Sequence, residues 1–408
     1  MDKRTSYAEF SSSLNDKNIV IIELGRKYTK CGFAGESAPR AIIESLSGSK
    51  DGSIHLHDIT SEEGLLTRLG DFIEKLYFNH LAVTPKLKKV VIVESVFCRS
   101  LFRRTLTRIL FERFDVPAIL FVPDHLVALA TLGLSTGLVV DIGAVEATSI
   151  AVVDGVTLLD GAQFANLGAK TLDSLISHEL AKSNPHLKEI GPRLVEDIRV
   201  KSCFVAPFER GRKMTQNKLS RSKEIQTEAL RIAEEQNLEI SIGTLENCYF
   251  LSEEDEHSPA TISYSLDGYR VVKVPGNLRE GVCEVFFELI GHEHSLTTLI
   301  VETILAAPID CRRSLASNIL IIGGTANMPG LEQRLHDELS NLDVHERFRR
   351  KVPDEFLFHE PICSRNYVSW LGASIFCTPS AFELRATTRD QWLRDGRKSI
   401  CDWSDMNR

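Results

Sequence analysis

The sequence predicts an α/β fold built as two similar halves, and three observations carry that expectation. Short apolar runs rich in β-branched residues recur along the chain at strand length. Helical periods, with apolar residues three and four apart, alternate with them. The third observation is an internal echo. "NIVIIELGRKYTKCGFAG" (18–35) and "TGLVVDIGAVEATSIAVVDG" (136–155) share one plan: apolar strand, acid, any residue, glycine, polar turn, second strand, closing glycine. Two such hairpins from two such halves would face each other across a cleft, where their backbone N–H groups could pinch a polyphosphate from both sides.

Taken in order, strands are expected at 18–24, 40–45, 88–95, 116–122, 136–143, 149–155 and 317–324, and their near-continuous apolar character reads as burial on both faces. Thr60 and Glu63 form a capping-box pattern ahead of a helix with Leu65, Leu69, Phe72, Ile73 and Leu76 on one face. The same spacing returns at Leu172, Leu175 and Ile176, and at Leu296, Leu299, Ile300 and Ile304. The central stretch differs. "ERGRKMTQNKLSRSKEIQ" (209–226) carries Arg210, Arg212, Lys213, Lys218, Arg221 and Lys223, and "LSEEDEHSP" (251–259) is acidic. Both read as solvated faces or loops, because charge runs more often solvate than recognise.

At 408 residues the chain is long enough for two or more domain-sized units, and 43% hydrophobic with 25% charged residues is ordinary globular composition. A formal charge of −8, from 48 basic and 56 acidic residues, argues against nucleic acid as the main partner. The nine cysteines form no C-x-x-C pair and are odd in number, so neither a zinc site nor a disulfide framework is expected, and a reducing compartment follows. The opening "MDKRTSYAEFSSSLN" lacks the apolar core of a signal peptide, and no apolar run approaches the roughly 18–20 residues that span a bilayer. A cytosolic or nuclear protein with no direct membrane insertion is expected. "HLHD" (55–58) and "GHEH" (291–294) read as surface or capping histidines rather than metal ligands.

From about residue 18 to about 385 the chain resembles the actins and actin-related proteins, in seven segments in the family's order. "KCGFAGESAPRAII" (30–43) looks like the first hairpin and its exit, "TGLVVDIG" (136–143) the second phosphate loop and "NLGAKTLDSLI" (166–176) the helix entry after it. "VEDIRVKSCFVA" (195–206) resembles the nucleotide-flanking helix, "YSLDGYRVVKVP" (264–275) the hairpin beyond, "ASNILIIGGTANMPGLEQRL" (316–335) the adenosine loop and "YVSWLGASIF" (367–376) the C-terminal helix. The resemblance implies an actin-like fold, two duplicated RNase H-like domains around a nucleotide cleft. It divides the chain into an extension (1–17), a first half (18–135), a second half (136–365) with an inserted subdomain at about 170–275, and C-terminal helices (366–408) returning to the first half. The outer subdomain of the first half is expected to be reduced or missing, since only "ESLSGSKDGSIHLHDIT" (44–60) joins Ile43 to the helix. Within the family, "TKCGFAGE" (29–36) resembles the class found at the pointed end of dynactin, the cofactor of the dynein motor.

Carried over residue by residue, the resemblance places Gly25, Lys30, Asp141, Gly143, Gly168, Arg199, Gly323, Gly324 and Thr325 at nucleotide-contacting positions. The departures are as informative. The first loop, D-x-G-S-G in active members, reads Glu23-Leu24-Gly25-Arg26-Lys27. Glu23 sets its oxygens over an ångström away from where an aspartate would, which Mg²⁺ tolerates poorly, and Arg26 removes a small hydroxyl. The second loop, D-x-G-D-G in the family, keeps Asp141 and Gly143 but continues Ala144-Val145-Glu146. A β-branched valine resists the φ > 0 backbone that approaches phosphate. Asp124 stands where a Gln would orient water, Thr148 replaces a nearby His, and Val200 replaces the acid that would accept ribose hydroxyls.

No catalytic residue, no metal ligand and no required cofactor are therefore expected, with ATP or ADP admitted as a structural ligand. The expected function is a non-catalytic dynactin subunit in the cytoplasm and cytoskeleton. Its partners would be actin-related filament protomers and other pointed-end subunits, with dynein and cargo adaptors reached indirectly. An actin-family ATPase with an altered site and a nuclear actin-related subunit of a chromatin-remodelling complex stand as alternatives.

Overall fold

The structure is a computed structural model, and it describes residues 18–48, 53–187, 190–218, 220, 255–265, 270–288, 294–342, 348, 352–353, 355–396, 400 and 403. The extension at 1–17 and most of 219–254 lie outside these residues.

The principal elements begin with β1 (Ile19–Leu24), β2 (Tyr28–Phe33), β3 (Ala41–Glu44), β4 (Leu46–Ser47), β5 (Ile54–His55), α1 (Glu62–Lys75), β6 (Lys89–Glu94), α2 (Ser100–Arg108), β7 (Ala118–Pro123) and α3 (Asp124–Ala130). They continue with β8 (Gly137–Ile142), β9 (Ala147–Val153), β10 (Val156–Ala165), α4 (Ala169–Ser183), α5 (Pro192–Ser202), β11 (Ile262–Ser265), β12 (Val271–Val274) and α6 (Leu296–Ala306). The last are β13 (Ile319–Ile322), α7 (Leu331–Ser340), β14 (Phe358–His359), α8 (Val368–Phe376), β15 (Thr387–Thr388) and α9 (Arg389–Asp395). They separate into two compact units. One holds Met1–Val139, Val152–Thr157 and Glu360–Arg408; the other holds Val140–Ala151 and Leu158–His359.

The first unit is organised by a six-stranded sheet in the order β15-β7-β6-β1-β2-β3. β1 pairs parallel to β6 and β6 parallel to β7, while β2, β3 and β15 pair antiparallel with their neighbours. Alternation along β1 divides its side chains between two cores. Val20, Ile22 and Leu24 face Leu65, Leu69, Phe72 and Ile73 of α1. Ile19 and Ile21 face Trp370, Leu371 and Ala373 of α8, and the Trp370 indole N–H donates to the Ile21 carbonyl at 3.2 Å.

Two expectations change here. β3 is only half-buried, with Ile42 exposed, because it is an edge strand covered on one side. The helix after the 44–60 segment begins at Glu62 with Ser61 as its N-cap and no side-chain cap, so Thr60 and Glu63 do not form a capping box; the apolar stripe of α1 is buried as the spacing predicts.

A five-stranded sheet, β10-β9-β8-β13-β14, has most of its residues in the second unit, while Gly137–Val139 and the β9–β10 turn region Val152–Thr157 belong to the first. The turn from β9 to β10 is Asp154-Gly155 with φ of 51° and 78°, the conformation that an Asp-Gly pair favours between antiparallel strands. α6 opens with a capping box in which the Ser295 hydroxyl accepts from the Thr298 N–H at 3.2 Å.

The charged central segments are corrected by the structure. Residues 208–218 are helical, and Arg210 and Lys218 are not solvated: Arg210 pairs with Glu280 and with Asp255 of the acidic stretch, and Lys218 with Glu288. Arg334 of α7 grips both oxygens of Glu284 at 2.9 Å. Glu280, Glu284 and Glu288 thus form a buried acidic stripe, 4%, 2% and 5% exposed, with each carboxylate matched by a cation from another segment. Burial of this kind is tolerable only because every charge is paired.

Candidate functional site

The first loop is a β1–β2 hairpin whose register sets Glu23 directly opposite Lys30. Their side chains form an ion pair, with only 12% of Lys30 and 15% of Glu23 exposed. Burial raises the Glu23 carboxyl above the ordinary carboxylate range, and Lys30 offsets only part of that rise. The second oxygen of Glu23 is buried without a hydrogen-bond partner. Lys30, expected to neutralise phosphate, is therefore committed to a neighbouring carboxylate. Arg26 points away to Asp58 at 3.8 Å, in an ion pair whose side chains are 41% and 55% exposed.

Two described residues of the 44–60 segment, Ser45 and His57, reach this turn. The Ser45 hydroxyl donates to the Gly25 carbonyl at 2.8 Å, the Ser45 N–H donates to the Lys27 carbonyl at 2.8 Å, and His57 Nε2 meets the Leu24 carbonyl at 3.0 Å. The His57 ring stacks on Phe102 with centroids 4.2 Å apart, and Arg99 donates to the His57 and Ile59 carbonyls. Burial lowers the imidazole to about 4, so it is neutral at physiological pH. His57, read from sequence as a surface or capping residue, is a clamp on the loop.

Asp124 opens α3. Its carboxylate accepts from the His125 N–H at 2.7 Å, and the His125 ring spans from Asp124, at 3.2 Å, to the Thr157 hydroxyl at 2.8 Å. His125 is 2% exposed, so this chain of three groups fixes local structure rather than presenting a base to solvent. The sequence reading missed it, because nothing in the sequence joins His125 to a threonine 32 residues away.

In the second unit, Gly143, Gly168, Gly323 and Thr325 meet as a packing junction. The Thr325 hydroxyl donates to the Gly143 carbonyl at 2.7 Å, the Ala169 N–H donates to that same carbonyl at 3.2 Å, and the Lys170 N–H donates to the Ala144 carbonyl at 2.7 Å. A Cβ on Gly168 would lie 2.6–2.8 Å from backbone atoms of Ala144 and Val145. Gly323 has φ +103°, and a Cβ there would sit 2.3 Å from an Asp141 carboxylate oxygen. Gly324 has open space around it. Arg199 is 5% exposed and bonded to Asp173 at 2.6 Å, with Glu196 3.7 Å away, while Val200 is largely exposed.

These donor sets do not fit magnesium-bound ATP. Lys30 and Arg199 are committed to carboxylates, Arg26 is turned to Asp58, and Ala144 and Val145 supply no oxygen to a metal-bound water. The glycines at 168 and 323 are required by close approach whether or not a ligand binds.

The fold and these loops define an actin-type protein: the actin family model matches residues 14–402, and the chain belongs to the actin family. Among curated relatives it is 25% identical to actin-related protein 10 of Dictyostelium discoideum, across 89% of this chain and 83% of that protein.

Proposed function

We propose that this chain is a non-catalytic, structural actin-related subunit of dynactin, seated at the pointed end of its actin-related filament and helping to link dynein-driven transport to cargo in the cytoplasm. The observation that carries this reading is the commitment of Lys30 to Glu23 within the first loop, because an enzyme of this family needs that cation for the transferred phosphate. Two further features support it. Ser45 and His57 of the 44–60 segment hold the loop, the segment is short for an outer subdomain that would engage another protomer, and the similar Dictyostelium protein is itself an actin-related protein. A polymer needs complementary faces on every unit, so a unit with one altered face ends growth. ATP or ADP, where present, would serve as a structural ligand with weakened dependence on magnesium.

Affinity isolation of the tagged chain from cytosol, with mass spectrometry of co-purifying proteins and released nucleotide, tests the assignment. Dynactin subunits at one copy of this chain per complex are expected; recovery with chromatin-remodelling subunits would overturn it. Steady-state phosphate release from the purified chain should be at background, and turnover near that of conventional actin would refute a non-catalytic role.

A further inference from the structure

We propose that Ser258 is a phosphorylation site for proline-directed serine/threonine kinases, and that its phosphate takes Arg210 away from Asp255. The chain contains three Ser/Thr-Pro pairs: Thr84-Pro85, Ser258-Pro259 and Thr378-Pro379. Thr84 and Thr378 are each the N-cap of a helical turn that holds the proline, so their backbone is committed to opening that turn. Ser258 belongs to no helix or strand, and it is half-buried beside exposed Asp255, Glu256 and His257. A following proline favours the extended backbone in which a kinase takes its substrate. Presenting Ser258 breaks the bonds of a single turn, in which its N–H donates to the Asp255 carbonyl and its hydroxyl accepts from the Asp255 N–H, both at 3.0 Å.

The hydroxyl already sits against a cationic fork. Arg210 Nη2 donates to Ser258 Oγ at 3.2 Å, while the same guanidinium holds Asp255 at 2.5 and 2.9 Å and Glu280 at 2.5 and 3.3 Å. Arg210 keeps the Asp255 carboxyl well below the usual carboxylate range. Downstream of the serine the chain is fixed. Arg279 Nη1 donates to the Ala260 carbonyl at 2.9 Å, and a Cβ on Gly276 would lie 1.5 Å from the Pro259 carbonyl oxygen.

Phosphorylation changes the balance at Arg210. The kinase transfers the γ-phosphoryl group of ATP: the Oγ–P bond forms as the bond to the ADP oxygen breaks, and the hydroxyl proton passes to the kinase's catalytic carboxylate. One guanidinium that served two carboxylates then faces a third anion of about −1.5 to −2 charge. Glu280 is 5% exposed and would be stranded as a buried charge without its cation, whereas Asp255 is 43% exposed and can turn to water. The phosphate therefore replaces Asp255 on Arg210 through charge-assisted bonds. Asp255 is tied to the helical residues 208–218 in the unmodified chain and released from them in the modified one.

The test treats the full-length chain with a purified proline-directed kinase and magnesium-ATP, and follows each site by peptide mass spectrometry. Phosphate is expected at Ser258 at least about ten-fold faster than at Thr84 or Thr378. No phosphate at Ser258, or similar rates at all three, would overturn the site. Capture by Arg210 is read from removal of the phosphate by alkaline phosphatase. Arg210→Gln should lose it about ten-fold faster than wild type, for loss of a charge-assisted contact. Arg210→Lys keeps a cation for Glu280 without the fork, and should lose it several-fold faster. Wild-type rates in either folded variant would overturn the capture. The exchange of partners is read from urea unfolding: Asp255→Asn should lower the midpoint of the unmodified chain and not that of the phosphorylated chain. An equal loss in both would overturn the switch.

Discussion

Between β1 and β2 the turn is occupied by charge: Glu23 and Lys30 neutralise each other across the hairpin, and Arg26 meets Asp58 outside it. Between β8 and β9 the equivalent turn is occupied by backbone, with Gly143 and Ala144 carbonyls taken by Thr325, Ala169 and Lys170. Both turns follow one sequence plan, so the contrast separates two requirements of any phosphate-binding loop. Side-chain charge must be free to face the ligand, and backbone N–H donors must be left unspent, whereas the Gly143 N–H already donates to the Glu146 carbonyl at 3.0 Å. The first unit forgoes the former, and the second unit spends part of the latter.

The contrast can be broken most sharply at Lys30. Lys30→Met leaves Glu23 buried without its cation and should cost about 3–5 kcal/mol, read from urea unfolding. Adding Glu23→Leu should restore most of that loss, whereas a single mutant within about 1 kcal/mol of wild type would mean that Lys30 is not committed to Glu23. In the second unit the corresponding change is Gly323→Ala, which forces a side chain into φ +103° and against Asp141. A loss of about 2–3 kcal/mol is expected, against less than about 1 kcal/mol for Gly324→Ala, where space is open. Similar losses at both positions would remove the packing explanation.

The clamp gives a smaller, pH-dependent signal. His57→Gln should destabilise by about 1 kcal/mol at pH 7 through loss of the contact with the Leu24 carbonyl. The folded chain holds His57 near 4 while the ordinary value is 6.5, so the unfolded chain takes the proton first. Its contribution is complete above about pH 6.5 and is lost as pH falls toward 4, and the variant should show a flatter stability profile across that window. Arg26→Ala should change stability by less than about 0.5 kcal/mol, because its pair with Asp58 is solvent-screened. A larger effect would show that the charge at the loop tip is structural.

The strands were legible because buried apolar runs of strand length leave little alternative: β1, β6, β8 and β13 fall within the runs that predict them, while β7 and β9 overlap theirs, β7 ending one residue later at Pro123 and β9 beginning two residues earlier at Ala147. The Glu23–Lys30 pair was legible in principle, since a hairpin turning at 25–27 sets those positions opposite each other. The roles of His57 and Arg210 were not. His57 acts through a carbonyl 33 residues earlier, and Arg210 through Glu280, 70 residues later. A charged or polar residue shows its type locally, whereas its partner is decided by the packing of distant elements. The start of α1 slipped for a related reason: Thr60 and Ser61 are equivalent candidates by composition, and only the backbone path selects Ser61.

The acidic stripe of Glu280, Glu284 and Glu288 constrains the order in which the second unit can be made. Its cations come from residues 210, 218 and 334, so two precede the stripe in synthesis and one follows Glu284 by 50 residues. A growing chain that ends before α7 must therefore keep Glu284 in water, and with it the neighbouring Val285 and Phe286 that are buried in the finished unit. Long-range pairings of this kind slow folding and leave apolar surface exposed in the interim. The pairing of the stripe is complete only when Arg334 of α7 is present, so a chain truncated before α7 would lack the contacts that bury Glu284 and its apolar neighbours.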